Sequence, residues 1–567
     1  MTVSIEEAHR ILTAPGSMFE IENLEIRGIE TRIWKNAPPS LRSILELSRT
    51  HGDRTFLVYE DDRLCFEEHY RAVGQLARIL VEEYGVAKGE RVAIAMRNFP
   101  EWSIAFWAAA AVGATVVPLN AWWTASELGF GLSDSGACLL FADEERVRRI
   151  DSLGRDFGIR GIIAARCEQD PPAPVRRFED VIGTPPATAS LPEAEIDPED
   201  DATLFYTSGT SGQPKGALGT HRNICSNVMS LFFAQARAAL RRGAKTAESR
   251  TNAPQGSSLL SVPFFHATGC HSVLAATAAV GNKLVMMYKW DPERALELIE
   301  RERISQFGGV PAMVWQVLES PSFRERDLSS VTSIGYGGAP APPELVARIK
   351  QEFPKVAPSN GYGLTETSSV TAFNSAEDYV RKPDSVGAPV AVCELRVVDE
   401  HGNDVPAGEV GELWIKGPNV VKGYWNDPEA TAEAFTDGWL HSGDLGRIDE
   451  EGFVYIADRA KEMLIRAGEN IYCVEVENAL YSHPAVMDAA VIGLPHRVLG
   501  EEVTAVVQIG PGAEVGEEAL KRHVATQLAA FKVPVRIDLR REPLPRNAAG
   551  KILKRQLKQE LTGEAAP

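Results

Sequence analysis

The apolar positions of the first 450 residues alternate between helix-like and strand-like patterns. Residues 71–84 place Ala72, Leu76, Ile79 and Leu80 on one face of a predicted helix. Residues 91–96 are mostly apolar, as in a strand that is buried on both faces. Similar strands are predicted at 139–141, 162–164, 259–262, 284–287 and 333–335, and helices at 292–302 and 342–353 separate the later ones. Strands that alternate with helices favour parallel sheets covered on both faces.

Residues 102–126 carry no charge and form a segment that is long enough to span a bilayer. The segment contains Gly113, Pro118 and Asn120, and it changes from alanine-rich to valine-rich. We therefore predict a buried helix at about 102–112, then a turn and a strand at 114–119, and no membrane span.

The pattern changes to β after about residue 390. Segments 395–398, 410–415, 446–448 and 453–456 alternate apolar and polar residues between turns. From Lys461 onward the pattern is mixed, with helices predicted at 474–481 and 517–527 and strands at 486–493 and 503–509. The chain is therefore predicted to divide into an N-terminal domain, residues 1–458, and a smaller α+β domain, residues 459–567.

Charge and cysteine content exclude several classes of function. The formal net charge of −19 over 567 residues argues against nucleic acid and against an anionic membrane surface as partners. The seven cysteines form no C-x-x-C pair, which is typical of reduced thiols and gives no metal site. The first residues lack the basic and apolar regions of a signal peptide, so a cytoplasmic location is expected.

The most informative motif is the loop of residues 206–216, which follows a predicted strand. Glycines let backbone N–H groups approach an anion, hydroxyls add donors, and a lysine adds positive charge. The loop therefore predicts a phosphate-binding site that differs from the P-loop spacing. Its candidate ligands are Thr207, Ser208, Gly209, Thr210, Ser211, Gly212 and Lys215.

Four later motifs carry the groups that a nucleotide site needs. Residues 360–366 combine glycines with an aromatic ring, a hydroxyl and a carboxylate that could bind Mg²⁺ beside phosphates. Asp444 follows a tight turn and could accept hydrogen bonds from ribose hydroxyls. Residues 455–459 end a strand with a cation, and Lys551 follows a Pro/Gly turn.

These motifs, in this order, resemble the adenylate-forming superfamily, which includes acyl-CoA synthetases, aryl-CoA ligases, peptide-synthetase adenylation domains and luciferases. The resemblance covers about residues 40–558. It implies a large N-terminal domain of two mixed α/β sheets plus a β-barrel. It also implies a small, mobile α+β C-terminal lid that rotates between two half-reactions about a hinge near 459–461, at Lys461.

The resemblance also implies residue roles. It assigns Thr365 to the α-phosphate, Glu366 and Thr207 to Mg²⁺, and Lys551 to catalysis of adenylation. The adenosine moiety would be bound by Gly338, Ala339, Pro340, Asn360, Gly361, Tyr362, Gly363, Asp444, Tyr455 and Arg459.

For the acid, the resemblance implies a pocket gated by His266, with Phe265, Gly309, Val310, Tyr336 and Gly337 around it. Glycines at 308, 309, 337 and 338 are expected to leave space for an acyl chain, so a leucine at 337 would shorten the longest acid accepted. CoA would pass Arg466, Ala467 and Gly468. Arg466 and Ala467 replace smaller or glycine residues common in the family, and Cys473 stands where the family often has proline.

The sequence thus predicts an AMP-forming carboxylic acid–CoA ligase that uses ATP with Mg²⁺ and takes CoA as co-substrate. A medium- or long-chain fatty acid is the first hypothesis for the acid, and an aryl acid such as a hydroxycinnamate is the alternative. A luciferase-like oxygenase and a carrier-protein-loading enzyme share the adenylation machinery and rank lower. A homodimer is a further hypothesis, which the motifs do not address.

Overall fold

The computed structural model describes residues 3–154, 156–207, 214–243, 254–339, 341–467, 469–510, 512–547 and 550–563.

The first part of the chain builds a seven-stranded sheet in the order β11-β10-β6-β5-β7-β8-β9, parallel except for the β10–β11 hairpin. Its elements, in chain order with the N-terminal ones, are α1 (Ile5–Leu12), β1 (Ile21–Ile26), β2 (Ile29–Trp34), α2 (Leu41–Arg49), β3 (Thr55–Tyr59), β4 (Asp62–Cys65), α3 (Phe66–Glu82), β5 (Arg91–Ala95), α4 (Pro100–Ala111), β6 (Thr115–Pro118), α5 (Ala125–Ser135), β7 (Leu139–Asp143), α6 (Glu144–Asp151), β8 (Ile162–Ala165), β9 (Arg176–Arg177), α7 (Phe178–Ile182), β10 (Asp201–Thr207) and β11 (Lys215–Thr220).

The uncharged segment folds as the sequence predicted. Helix α4 is buried on all sides, because Trp102, Phe106 and Trp107 pack into the core together with the alanines between them, and β6 follows it as a buried strand. None of the helices in the described part of the chain combines the length and the apolar character that a bilayer crossing requires.

A second sheet of nine strands runs in the order β18-β17-β16-β15-β14-β12-β13-β3-β4. Its central strands are parallel, so their carboxyl ends meet along one edge of the sheet. The elements that follow β11 are α8 (His221–Arg241), β12 (Ser257–Leu260), a π-helix (Thr268–Ala275), α9 (Ala276–Val280), β13 (Lys283–Met286), α10 (Pro292–Arg301), β14 (Gln306–Gly309), α11 (Pro311–Leu318), a 3₁₀ turn (Pro321–Arg324), β15 (Ser333–Gly337), α12 (Pro343–Glu352), β16 (Ala357–Tyr362), a 3₁₀ turn (Thr365–Thr367), β17 (Ala372–Ser375), α13 (Ala376–Arg381) and β18 (Ala388–Pro389).

The β-rich part of the N-terminal domain forms an antiparallel sheet of five strands. The strand order in this sheet is β19-β20-β22-β21, and β23 pairs with β22. In the part of the chain that the structure describes, no pairing joins β23 to β19. Its elements are β19 (Glu394–Val398), β20 (Gly411–Lys416), α14 (Pro428–Ala434), β21 (Phe435–Thr436), β22 (Trp439–Ile448) and β23 (Val454–Arg459).

The last hundred residues form a separate layer with its own apolar core, which includes Ile471, Val476, Val491 and Val503. Its sheet has the order β25-β24-β27-β26, with β28 beside β27. The elements are β24 (Leu464–Arg466), β25 (Glu469–Ile471), α15 (Cys473–Tyr481), β26 (Val486–His496), β27 (Gly500–Ile509), α16 (Glu517–Ala525), a 3₁₀ turn (Ala530–Lys532), β28 (Arg536–Arg540) and α17 (Lys554–Thr562). This layer agrees with a small α+β C-terminal unit.

Two glycines of the central strands, Gly308 and Gly337, lie against the backbone of neighbouring strands. A Cβ atom at Gly308 would lie 1.5 Å from the carbonyl oxygen of Gly335, and one at Gly337 would lie 2.5 Å from that of Gly361. The expectation that these positions leave space for an acyl chain is therefore wrong, because neighbouring backbone already occupies it. A leucine at 337 would displace β16 instead of shortening a tunnel.

We therefore expect Gly308→Ala to destabilise the fold. The new methyl group would overlap the backbone of β15, and overpacking of this kind costs about 1–3 kcal/mol or more. Urea unfolding measures the loss. Gly510→Ala is the matched control, since its Cβ would have ordinary contacts, the nearest at 3.7 Å. Equal midpoints for the two variants would contradict this account.

Candidate active site

A buried carboxylate lies where three elements of the N-terminal part meet. Asp444 and Arg459 face each other in the β22–β23 ladder, and the Arg459 Nε donates to Asp444 Oδ1 at 2.7 Å. The Tyr362 hydroxyl, at the end of β16, donates to Asp444 Oδ2 at 2.6 Å. Burial raises the pKa of Asp444, and the positive charge of Arg459 opposes that shift. Each carboxylate oxygen keeps a further lone pair, so Asp444 can still accept from a ligand hydroxyl.

Glu366 lies in the 3₁₀ turn that follows β16. Its Oε1 accepts from the Tyr424 hydroxyl at 2.8 Å, and its carbonyl accepts from the Val421 N–H. The Lys215 ammonium group lies 5.3 Å from the centre of the Tyr424 ring. The structure therefore brings the predicted carboxylate and the predicted phosphate-loop lysine to one aromatic side chain. Tyr424 was not predicted, because it stands in a turn without a recognisable motif.

The residues around Glu366 fit a magnesium ion that is held mainly by phosphates. Carboxylate and hydroxyl oxygens are hard ligands, which Mg²⁺ prefers, and it commonly takes one or two of them from the protein. The Thr207 hydroxyl donates to the Lys215 carbonyl at 3.4 Å, at the end of β10. Within the described residues no three His, Cys, Asp or Glu side chains form a cluster that could hold a metal.

Lys551 extends into the same cleft from the C-terminal layer. Its pKa is lowered, first by the surrounding protein and then by repulsion from Arg459, while Asp444 and Glu366 oppose the shift. The side chain nevertheless stays exposed to solvent, as expected for a group that lines an open cleft. The preceding Gly550 has φ +77°, and a Cβ there would lie 2.6 Å from Val310 Cγ2, so this turn packs directly on the loop after β14.

His266 joins the cleft to the candidate acyl pocket. Burial and the charge of Lys551 lower the pKa of His266 to about 4, so the imidazole is neutral near pH 7. Its Nε2 is buried and has no hydrogen-bond partner among the described residues. The Phe265 ring lies 5.0 Å from the imidazole and packs on Ala121. A buried, unpartnered ring nitrogen beside the reactive lysine is consistent with a group that contacts substrate.

The other predicted pocket and adenine residues lie at the carboxyl ends of β14, β15 and β16. Gly309 ends β14 and Val310 follows it. Tyr336 is the penultimate residue of β15, and its hydroxyl accepts from Tyr379 at 2.9 Å. The remaining members of this group lie at the same strand ends: Gly337 at the end of β15, Gly338 and Ala339 after it, and Asn360, Gly361, Gly363 and Thr365 at and after β16. Only Gly338 has open space, with nothing within 4 Å of a Cβ.

The structure does not bring Tyr455 to this group. Its hydroxyl donates to Asp449 Oδ2 at 3.0 Å, and the Arg447 guanidinium lies 4.0 Å from its ring centre, toward the far end of the β22–β23 ladder from Arg459. The role was suggested by the short distance in sequence between Tyr455 and Arg459, but four positions along a strand correspond to about 13 Å. Other predicted site residues lie outside the described part of the chain: Ser208, Gly209, Thr210, Ser211, Gly212, Pro340 and Gly468.

The predicted CoA residues lie in the β24–β25 hairpin of the C-terminal layer. Ala467 has φ +54°, a conformation that favours glycine, and its N–H donates to the Leu499 carbonyl at 2.8 Å. Arg466 pairs with Gly500, and its Nε is buried without a partner among the described residues. Lys461 lies in the turn between β23 and β24 and so connects the two layers, and its role as a hinge stays a prediction.

One hydrogen bond joins the layers on either side of that turn. Asp458, the penultimate residue of β23, is buried and accepts the backbone N–H groups of Arg459 and of Cys473, the first residue of α15. Burial raises the pKa of Asp458 to about 6. Lys554 lies nearby, 2.8 Å from Glu477 and 3.2 Å from Glu462. The Asp458–Cys473 bond would have to break if the C-terminal layer rotated.

The fold and this site together define an enzyme that binds a nucleotide and activates an acid. The chain belongs to the AMP-binding enzyme family: that family model matches residues 46–425, and the model of the AMP-binding enzyme C-terminal domain matches residues 475–551. The resemblance inferred from the motifs is confirmed.

The chain is similar to several named CoA ligases. It is 34% identical to a feruloyl-CoA synthase of Amycolatopsis sp, covering 88% of this chain and 94% of that protein. It is 34% identical to a long-chain-fatty-acid–CoA ligase of Bacillus subtilis, covering 92% and 95%, and 37% identical to a 2-succinylbenzoate–CoA ligase of Geobacillus kaustophilus, covering 87% and 92%. Among solved structures it is similar to an anthranilate CoA ligase in complex with anthranoyl-AMP, with a TM-score of 0.81, 26% identity and coverage of 93% and 99%.

We predict that Cys473→Pro weakens the arrangement seen here. Proline lacks the N–H group that donates the hydrogen bond to Asp458, although proline is well tolerated at the first position of a helix. Because a hydrogen bond to a charged group contributes about 1.5–3 kcal/mol, formation of acyl-AMP should slow about tenfold or more. Thioester formation from supplied acyl-AMP should be maintained. Cys473→Ala keeps the N–H and is the control; equal effects of the two variants would show that the thiol matters, not the hydrogen bond.

Proposed function

We propose that this protein is an AMP-forming carboxylic acid–CoA ligase that works in two half-reactions. In the first, a carboxylate oxygen attacks the α-phosphorus of ATP, and the bond from that phosphorus to pyrophosphate breaks. In the second, the sulfur of CoA attacks the acyl carbon and AMP leaves, while the thiol proton passes to solvent or a base. The observation that carries the proposal is the meeting of Lys551, the Asp444–Arg459 pair and Glu366 in one cleft beside His266.

The charges of the cleft suit the first half-reaction. Two anions must approach each other, so the cleft has to stabilise negative charge as it develops on the phosphorus. Arg459 and Lys551 supply positive charge there, and each affects the pKa of the same Asp444 carboxylate. Mg²⁺, held by Glu366 with Thr207 nearby, would neutralise the phosphates of ATP. Asp444 would accept from ribose hydroxyls while Tyr362 holds it in place.

The neutral state of His266 suits the acid-binding end. A protonated imidazole would pair with the substrate carboxylate and hold it away from the phosphorus. With a pKa of about 4, His266 stays neutral at physiological pH and can border the carboxylate without binding it as an ion. The walls near it, Phe265 and Val310, are buried and apolar. This lining suits both hypotheses for the acid, a fatty chain and an aryl ring.

The two half-reactions need different groups at the same carbonyl, which supports a moving C-terminal lid. Here the lid presents Lys551, while the β24–β25 hairpin with Arg466 and Ala467 belongs to a different part of the layer. Rotation about Lys461 would exchange the two and admit CoA. The domain limits near 458 and this hinge are part of the proposal.

We expect Lys551→Ala to affect only adenylation. Loss of one transition-state donor should lower the rate of acyl-AMP formation by roughly 10²–10³, as measured by pyrophosphate release. Thioester formation from supplied acyl-AMP should be nearly unchanged. Lys558→Ala, which removes a half-exposed lysine of α17, is the control. Equal loss in both half-reactions would refute the assignment.

We also expect Lys461→Pro to separate the half-reactions. Proline restricts φ to near −65° and should prevent the backbone rotation that lid movement requires. Adenylation should persist and thioester formation should fail, as measured by CoA consumption in single-turnover experiments. Lys461→Ala leaves the backbone free and should behave like the wild type. Normal CoA turnover in the proline variant would place the hinge elsewhere.

A further inference from the structure

A π-helix begins two residues after His266 and continues the wall of the acyl pocket. π-helices are rare and occur often at functional sites. One side of this helix is buried through Cys270, His271 and Leu274. On the other side Thr268 is exposed and Ser272 is half-buried, although the segment lies between the two large sheets. Two hydroxyls therefore border open space next to the gate.

Ser272 is the middle member of a hydrogen-bond relay that runs from Asn227 through Ser272 to Ser369. The Asn227 side chain, on α8, accepts the Val370 N–H through Oδ1 at 2.9 Å, so its Nδ2 must be the donor to Ser272 Oγ at 3.2 Å. Ser272 in turn donates to Ser369 Oγ at 2.8 Å. Ser369 Oγ therefore accepts a hydrogen bond, and its own hydroxyl proton has no acceptor among the described residues.

Ser369 lies between the acyl gate and the nucleotide turn. It follows Glu366 by three residues, and a Cβ at Gly363 would lie 1.4 Å from the Ser369 carbonyl oxygen. Ser369 has φ +108° and Ser368 has φ +52°, values that are unfavourable for residues other than glycine. Strained backbone of this kind occurs mainly at functional sites. The Ser369 side chain is half-buried, and its hydrogen bond with Ser272 joins it to the π-helix that follows His266.

We propose that Ser369 donates a hydrogen bond to an oxygen on the acyl part of the substrate, so that the enzyme selects acids that carry a carbonyl, ether or phenolic oxygen over plain hydrocarbon acids. The inference rests on the proposed ligase function. Ser272 uses one of the two lone pairs of Ser369 Oγ, and the hydroxyl proton of Ser369 remains free to be donated. Between the two hypotheses for the acid, the relay favours an oxygen-bearing aryl or ring acid over a simple fatty acid.

Paired acids that differ by one oxygen test this inference. The pairs are 4-methoxycinnamate with cinnamate, and 7-oxooctanoate with octanoate, whose added oxygens can only accept hydrogen bonds. The measurement is kcat/KM for pyrophosphate release with each acid. In the wild type, the oxygen-bearing acid of at least one pair should be preferred about tenfold, the scale of one hydrogen bond whose loss leaves a donor unpaired. Ser369→Ala should reduce that preference to about twofold or less.

Two further variants separate selectivity from folding. Ser368→Ala is the matched control: it changes the neighbouring serine of the same strained turn, whose buried Oγ has no partner among the described residues, and it should keep the wild-type preference. Ser272→Ala should weaken the preference, because Ser369 then loses its oriented partner. Activity of Ser369→Ala on the bare acids shows that it is folded.

The outcomes distinguish a failure of the role proposed for Ser369 from a failure of the proposed ligase function. Equal kcat/KM within both pairs in the wild type, or an unchanged preference in Ser369→Ala, would overturn the role of Ser369 and leave the ligase function intact. Absence of pyrophosphate release with any acid of a broad panel would overturn the ligase function itself.

Discussion

The ion pair between Asp444 and Arg459 is the contact on which the rest of the site depends. A buried carboxylate is costly unless charged and polar groups compensate it. Here Arg459 binds one oxygen, at 2.7 Å, and the Tyr362 hydroxyl binds the other, at 2.6 Å. The first contact holds β22 to β23 and the second holds the antiparallel sheet to the end of β16. A single carboxylate thus determines how the nine-stranded sheet, the antiparallel sheet and the Lys551 turn are placed around the cleft.

The charge balance around Lys551 is compatible with the proposed movement of the C-terminal layer. Arg459 repels the lysine while Asp444 and Glu366 attract it, so the opposing interactions partly cancel. A lysine held by a strong, exclusive ion pair would bind the lid tightly in one arrangement. The cost of withdrawing Lys551 is lower when its environment is balanced. Negative charge on a bound nucleotide would then shift the balance toward the arrangement seen here.

The sequence predicted most of the strands and the order of the site segments, for clear physical reasons. Buried parallel strands are short apolar runs, and the functional residues follow them at their carboxyl ends. Glu366 follows the parallel strand β16 in this way, whereas Asp444, Arg459 and Lys551 were predicted from turns and a strand end in the antiparallel and C-terminal parts; all four share one cleft in the structure. Tyr455 was placed in the site because it is near Arg459 in sequence, although the far end of the strand carries it away.

Other features could not be predicted because they depend on contacts between distant segments. Tyr424 reaches Glu366 and Lys215 from a turn with no motif. The roles of Gly308 and Gly337 depend on the distance to neighbouring strands, which a single segment does not contain. The π-helix mixes apolar residues with Thr268, His271 and Ser272, and nothing in this short pattern distinguishes it from an ordinary α-helix. The direction of the Asn227–Ser272–Ser369 relay requires three elements to be placed together.

The lid and the acyl pocket differ in how the fold maintains them, and this difference bears on specificity. The C-terminal layer is held by contacts that the proposed rotation would exchange: the lysine between opposing charges, the packing of Gly550 on Val310, and the hydrogen bond from the Cys473 N–H to Asp458. The pocket wall is held by a buried asparagine with both polar atoms satisfied and by a turn with two left-handed serines. Such a turn persists only where the surrounding structure over-determines it. If the C-terminal layer rotates as proposed, a rigid wall would keep a hydrogen-bond donor in one position throughout. The acid would then be selected once, before either half-reaction.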